Sequence, residues 1–160
     1  MVGECIVVRK AELEDAERIA ELNMLLAEET EGKTLDRDVV VEGVKALLED
    51  SGKGFYIVAE RPSRTAKIVG QLMITFEWSD WRNRYYWWVQ SVYVDREYRN
   101  RRVFSSLFKH VVELAESRKD VYGLKLYVEE HNEAAKKAYE ALGMRRAPYE
   151  VYELSLKKEK

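Results

Sequence analysis

Arg99-Asn100-Arg101-Arg102-Val103-Phe104 sets three arginines within four residues, and its flanks indicate what they could bind. Ahead of it, Trp87, Trp88, Val89, Val92, Tyr93 and Val94 are the β-branched and aromatic types of a strand. Behind it, Phe104, Leu107, Phe108, Val111, Leu114 and Ala115 recur at three- and four-residue steps, as on the buried face of a helix. A strand, a short cationic turn and a helix start together make an anion site. The first helical turn offers unpaired N–H groups and a positive dipole end, and the arginines stand beside them. Pyrophosphate is an anion of matching size; the competing reading is a solvated basic loop.

A second stretch carries a polar group and a phenol. Leu124, Leu126 and Val128 alternate as in a strand, and residues 132–142 then read as a helix. Asn132 is a good N-cap, Glu133 suits the first turn, and Gly143 is placed for the left-handed position that ends a helix. Asn132 and Tyr139 lie two turns apart, hence on one face, with Ala134, Ala138 and Leu142 forming an apolar one. Taken alone, Tyr139 reads as a core tyrosine with a satisfied hydroxyl.

These residues need a scaffold, and the rest of the chain supplies one. A strand is expected over 4–9 and a helix over 14–29, with Ala16, Ile19, Ala20, Leu22, Leu26 and Ala27 inward. Asp36 caps a helix over 37–49, which Gly52 and Gly54 end. Strands follow over 55–60, 67–78 and 85–94, then a helix over 102–118, a strand over 121–128, the 132–142 helix and a last strand over 149–156. Hairpin strands first and helix crossovers later predict an α/β (α+β) fold, a mixed sheet with helices on both faces, in one domain over 1–160.

Composition narrows the function class. With 160 residues, 46% of them hydrophobic, the chain can bury one good core. A net charge of −2 argues against a nucleic-acid partner. Charged residues reach 35%, and glutamine occurs only at Gln71 and Gln90, a composition that points to a thermophilic source. The lone Cys5 allows no intramolecular disulfide and suits a reducing, cytoplasmic location. No apolar run approaches the ~20 residues of a membrane span, so no membrane partner is expected.

Together the two stretches resemble the GNAT superfamily of acetyl-CoA-dependent N-acetyltransferases. The resemblance rests on Val94-Asp95-Arg96-Glu97-Tyr98-Arg99 and on Val128-Glu129 followed by Asn132, Ala135, Tyr139 and Leu142-Gly143-Met144 in register. Glu77-Trp78-Ser79-Asp80-Trp81-Arg82 and the 87–94 strand look like a bacterial and archaeal subgroup. The resemblance implies a GNAT-like fold with the fourth and fifth strands splayed apart. It implies acetyl-CoA as co-substrate, no metal, and an amine acceptor, either a small molecule or a peptide. By the same resemblance, backbone groups of Val92, Tyr93 and Val94 bond the pantetheine arm, with the Val92 N–H near the carbonyl oxygen. Arg99, Asn100, Arg101, Arg102, Val103, Phe104 and Ser105 then hold the pyrophosphate, and Tyr139 protonates the leaving thiolate. Asn132 either holds the pantetheine or is a plain cap. A homodimer is compatible with all of this.

The family's phosphate loop carries glycine where this chain has Arg102, and glycine or alanine where it has Phe104. A helical Arg102 needs no positive φ, can still offer its N–H and adds a charged contact; Phe104 falls on the apolar face and is expected to turn inward. The alternative is a lost cofactor site, which would leave a catalytically silent CoA-binding or scaffolding domain. A further alternative is a single-strand nucleic-acid binder that stacks bases on its aromatics.

Cys5, His110 and His131 form no evident acyl-enzyme nucleophile, so direct attack of an amine on the thioester is the economical scheme. Glu77, beside Trp78 and near Trp81, Trp87 and Trp88, is the expected base, and Glu129 is its rival. Alternatively both are ion-paired and a water chain removes the proton. The acidic run Glu28-Glu29-Thr30-Glu31, placed after the first helix, either greets a cationic amine or is a solvated helix end.

Overall fold

In the computed structural model, which describes residues 5–157, the β-branched and aromatic runs form five strands. They are β1 (Val7–Lys10), β2 (Gly54–Arg61), β3 (Lys67–Ser79), β4 (Arg84–Val94) and β5 (Val121–Leu126). They pair in chain order, antiparallel from β1 to β4 and parallel between β4 and β5. A parallel pair cannot be closed by a hairpin, and here the helix α3 (Val103–Glu116) makes the crossover. The helices α1 (Ala16–Glu31) and α2 (Arg37–Glu49) lie between β1 and β2 in sequence. The chain falls into two compact units, divided between Tyr127 and Val128. The second contains the helix α4 (Glu133–Ala141).

Alternation along β2 assigns the faces of the sheet. Tyr56 and Val58 pack in one core with Ile19 and Leu22 of α1 and Val44 of α2. Ile57 and Ala59 pack in the other with Val103, Leu107 and Val111 of α3. Helices therefore cover both faces, and each fully buried aliphatic contributes roughly 1.5–3 kcal/mol. Gly70 lets α3 settle onto β3: an added Cβ there would stand 2.8 Å from Cγ1 of Val103 and 3.3 Å from Leu107.

Several element ends differ from expectation. Of the first strand, Glu4 lies outside the described residues, and pairing begins at Val7, opposite Glu60. Helix α1 runs two residues further than its apolar pattern and is closed by Gly32 at φ +63°, so the 28–31 acidic run belongs to its last turns. Helix α3 spans Val103–Glu116 instead of 102–118. Over 149–156 no strand forms; Tyr149, Val151, Tyr152, Leu154 and Leu156 are exposed. Alternation expresses only a preference, because a strand exists when a neighbour takes its N–H and C=O groups. The second unit has no other strand among its described residues to do so.

Strand β5 stops at Leu126, which pairs with Val89, while β4 continues to Val94. Beyond Val89, β4 keeps β3 on one side and has no strand on the other among the described residues. Pairing between the two strands ends there because β5 ends.

Candidate active site

The free end of β4 is bent by its own backbone. Register with β3 passes from Met73 opposite Gln90 to Gln71 opposite Tyr93, so Ser91 and Val92 together face Leu72 in a bulge. Ser91 takes φ +50°, an uncommon conformation for a residue with a side chain. Val92 and Val94 are half-buried and Tyr93 is buried.

Beyond β4 the chain makes the cationic turn, and its backbone differs from expectation. Arg102 is not helical: it is the N-cap of α3 at φ +63°, and Asn100 is also left-handed at φ +61°. The turn thus adopts at Arg102 the conformation that a glycine would take freely, which explains the family's preference at that position. Left-handed residues curl the turn around a cavity of about 200 Å3, lined among others by Val94, Tyr98, Asn100, Arg102, Phe104 and Ser105. Phe104 is half-buried; it lines this cavity and packs on Phe108, with ring centroids 5.9 Å apart, instead of joining the α3 core. Ser106 is the first α3 residue whose N–H bonds back to Arg102, at 3.0 Å. The N–H groups of the first turn are those a helix leaves without an internal partner.

The three arginines have different surroundings. Arg99 braces the turn: Nη2 donates to Glu29 (2.7 Å), Nε to the Val94 carbonyl (2.9 Å), and the guanidinium lies over the Tyr93 ring. Arg101 lies over the Tyr98 ring at 5.4 Å. Arg102 is exposed, and its side chain makes no hydrogen bond or ion pair among the described residues.

Glu29, in the last turns of α1, also accepts from the Tyr93 hydroxyl (2.7 Å) and from Arg96 Nε (2.8 Å). Burial alone would raise its carboxyl, but the bonds from Arg99, Tyr93 and Arg96 outweigh it and hold it at about 2. Burial, and then the bond to Glu29, push the Tyr93 phenol up to about 12. Arg18 of α1 adds a second tie to the turn, reaching Asp95 at 3.1 Å and the Ile68 carbonyl at 3.1 Å.

A larger cavity of about 360 Å3 opens where α1, the start of α2 and the β4 bulge meet. Leu26, Leu35 and Val40 line it together with Asn23, Glu31 and Ser91. Behind it lies a polar network that sequence reasoning missed. Gln71 is fully buried and donates from Nε2 to Asn23 Oδ1 (2.7 Å) and to the Ser91 carbonyl (3.3 Å). Asn23 Nδ2 donates to the Tyr56 hydroxyl (3.2 Å). The available signal was a polar residue inside an apolar run: Asn23 between Leu22 and Met24, and Gln71 between Gly70 and Leu72.

Glu77 is half-buried on β3 and ion-paired with Lys125 of β5 at 2.5 Å. The four tryptophans near it do not form one pocket. Trp87 is in the core, Trp88 stacks on Tyr127 at 4.4 Å, and Trp78 and Trp81 are exposed.

In the second unit, Asn132 caps α4 through Oδ1, which accepts from the Ala135 N–H at 3.0 Å. Tyr139 is half-buried, and burial pushes its phenol up. Gly143 takes φ +89° as expected, and the Met144 N–H closes the helix end on the Tyr139 carbonyl. Glu129 accepts from the His131 N–H at 2.9 Å.

Residues 16–144 match the model of the acetyltransferase (GNAT) family. The chain belongs to that family and is an acyltransferase. A solved structure described as a possible acetyltransferase from Clostridium difficile 630 is 45% identical, with a TM-score of 0.88 over 97% of this chain and 100% of that one. The fold is shared at lower identity with two further proteins. Ribosomal-protein-alanine N-acetyltransferase from Brucella melitensis biovar Abortus 2308 is 19% identical, with a TM-score of 0.75 over 96% of this chain and 100% of that one. Glucosamine-6-phosphate N-acetyltransferase from Arabidopsis thaliana is 18% identical, with a TM-score of 0.71 over 94% and 99%. No curated protein matches the chain. Among the described residues no helix is long and apolar enough to cross a membrane.

Proposed function

We propose that the protein transfers an acetyl group from acetyl-CoA to a primary amine by direct attack within a ternary complex. The observation that carries this reading is the left-handed turn at Asn100 and Arg102, curled around a cavity at the start of α3 beside the unaccompanied end of β4. A dianionic pyrophosphate fits such a place: the helix start supplies N–H groups and a positive dipole end, and Arg102 supplies a cation.

Acetyl-CoA supplies the activated acyl group, and the chain's residues bind and orient it. The 99–105 turn holds the pyrophosphate, with Arg99 and Arg101 acting mainly as braces and Arg102, Val103 and Ser105 in contact. Backbone groups of Val92, Tyr93 and Val94 hold the pantetheine, and the Val92 N–H supports the thioester oxygen as charge develops there. The resemblance assigns Asn132 to the same arm; within its own unit its Oδ1 is engaged as the α4 cap. Glu77 takes the ammonium proton through intervening water: it lies five residues along β3 from Leu72, which faces Val92, about 17 Å away, and pairing with Lys125 fixes its carboxylate. The resemblance assigns to Tyr139 the return of a proton to the departing sulfur, and its raised phenol stays protonated at neutral pH, as that role requires. Cys5 is free and exposed and takes no part.

Acetyl-CoA is expected to raise the melting temperature by mass action, and thiol release should require both acetyl-CoA and an amine. A thermal shift with no thiol release across a broad amine panel would favour a silent CoA-binding domain. Tyr139→Phe should lower turnover by about 10²–10⁴-fold with acetyl-CoA affinity retained. Wild-type turnover in that variant would remove Tyr139 as the acid.

A further inference from the structure

The larger cavity bears on the acceptor, given the transfer reaction proposed above: Ser91 in its lining is the neighbour of Val92, whose N–H supports the thioester oxygen, so an amine seated there would stand beside the acetyl group. We propose that the acceptor is an amine on an apolar body that carries a hydrogen-bond-accepting group, such as a carbonyl. Asn23 is the specificity-determining residue that donates to that group, and polyamines are poor acceptors.

Charge is the first argument. A polycation needs several carboxylates free to receive it, and this cavity offers Glu31 alone, already paired with Lys33 at 2.7 Å. Neighbouring Glu29 is engaged by Arg96, Arg99 and Tyr93. The acidic run that looks suited to a cationic amine is therefore mostly neutralised. Leu26, Ala27, Leu35 and Val40 supply apolar wall instead.

The second argument is the hydrogen-bond inventory of Asn23. Gln71 Nε2 lies within bonding distance of two oxygens, Asn23 Oδ1 and the Ser91 carbonyl, which fixes the orientation of both amides. The Asn23 oxygen is thus taken. Of the two Nδ2 protons, one goes to the Tyr56 hydroxyl, and the other has no partner among the described residues. Since Asn23 lines the cavity, it presents a donor there. The same network carries a buried Gln71 Oε1 without a partner among the described residues and the left-handed Ser91. Unpaired and strained groups of this kind collect where a site must hold a ligand in one pose.

Asn23→Asp removes the donor and adds a carboxylate that attracts any ammonium alike, so the readout is the ratio between two monoamines. Gln71 can still donate to the remaining oxygen, and the Tyr56 hydroxyl can turn to donate to the other, so the network stays closed while the outward N–H is lost. Leucinamide, 3-methylbutylamine (the same body without the carbonyl) and spermidine serve as probes. Wild type should acetylate leucinamide best and spermidine worst. In Asn23→Asp the KM for leucinamide should rise about tenfold relative to that for 3-methylbutylamine. The Kd for acetyl-CoA should hold within about twofold while that ratio changes, which a merely structural role would not produce. Leu35→Glu, at an exposed position, should shift preference toward spermidine whether or not the Asn23 variant folds.

Equilibrium binding of leucinamide to wild type and Asn23→Asp separates this inference from the catalytic reading. Leucinamide binding that weakens relative to 3-methylbutylamine in the variant, without thiol release from any amine, upholds the ligand class and overturns the transfer reaction. Spermidine preferred by wild type, no binding of leucinamide, or an unchanged leucinamide-to-methylbutylamine ratio in Asn23→Asp overturns the inference.

Discussion

At Arg102 backbone and side chain make opposite demands. The left-handed N-cap favours glycine, while the exposed guanidinium at the cavity rim favours a cation. Arg102→Gly should therefore stabilise the protein by up to about 1 kcal/mol. It should also weaken acetyl-CoA binding by about tenfold, the value of a partly exposed charge-assisted bond. Melting temperature and dissociation constant, taken at one salt concentration, should move in opposite senses; unchanged or tighter binding would mean that the side chain makes no contact with phosphate. Glu29 poses a similar test. Its carboxyl is held at about 2, below the ordinary 4.5, so its network stabilises the fold fully above pH 4.5 and loses that contribution as pH falls toward 2. Glu29→Gln should cost about 1–2 kcal/mol at pH 7, and the gap to wild type in urea denaturation should close between pH 4.5 and about 2. Removing an anion near a phosphate site should by charge alone tighten acetyl-CoA binding. Loss of the brace on Arg99 should weaken it, and weakening is the expected result.

Helix α3 depends on a residue with no side chain. Gly70→Ala would push a methyl into Val103, which is buried and β-branched and cannot swing aside. The start of α3 should lift, with a loss of about 1–3 kcal/mol and weaker acetyl-CoA binding; a stability loss with intact affinity would detach the turn from the seating of the helix. Such dependence is hard to read from sequence, since Gly70 meets Val103 only through the fold. What was legible was local: the apolar periods of α1, α2 and α3, the caps Asp36 and Asn132, and the left-handed Gly143. What failed needed a distant partner. The 149–156 alternation found no strand to pair with, Arg99 met a carboxylate 70 residues away, and Arg102 took a conformation that its helix-like context does not announce. Asn23 and Gln71 went unread because a single polar residue in an apolar run looks incidental until both amides face each other across 48 residues.

Within the five-stranded unit, α1 serves both cavities, with Asn23 at the larger and Glu29 and Arg18 tied to the cationic turn. The order of the strands carries a kinetic consequence. Neighbours in the sheet are neighbours in the chain, so β2, β3 and β4 can zip together as successive hairpins, whereas β5 must wait for α3 to form and carry the chain across. The cationic turn lies at the entrance to that crossover, so its cavity should be completed late. Leu124→Ala should speed unfolding with little effect on the refolding rate, whereas Ile57→Val should slow refolding. After a jump out of denaturant, recovery of strand signal should precede recovery of acetyl-CoA binding, and a newly made chain would pass through an interval in which it has its sheet but cannot yet hold its acyl donor.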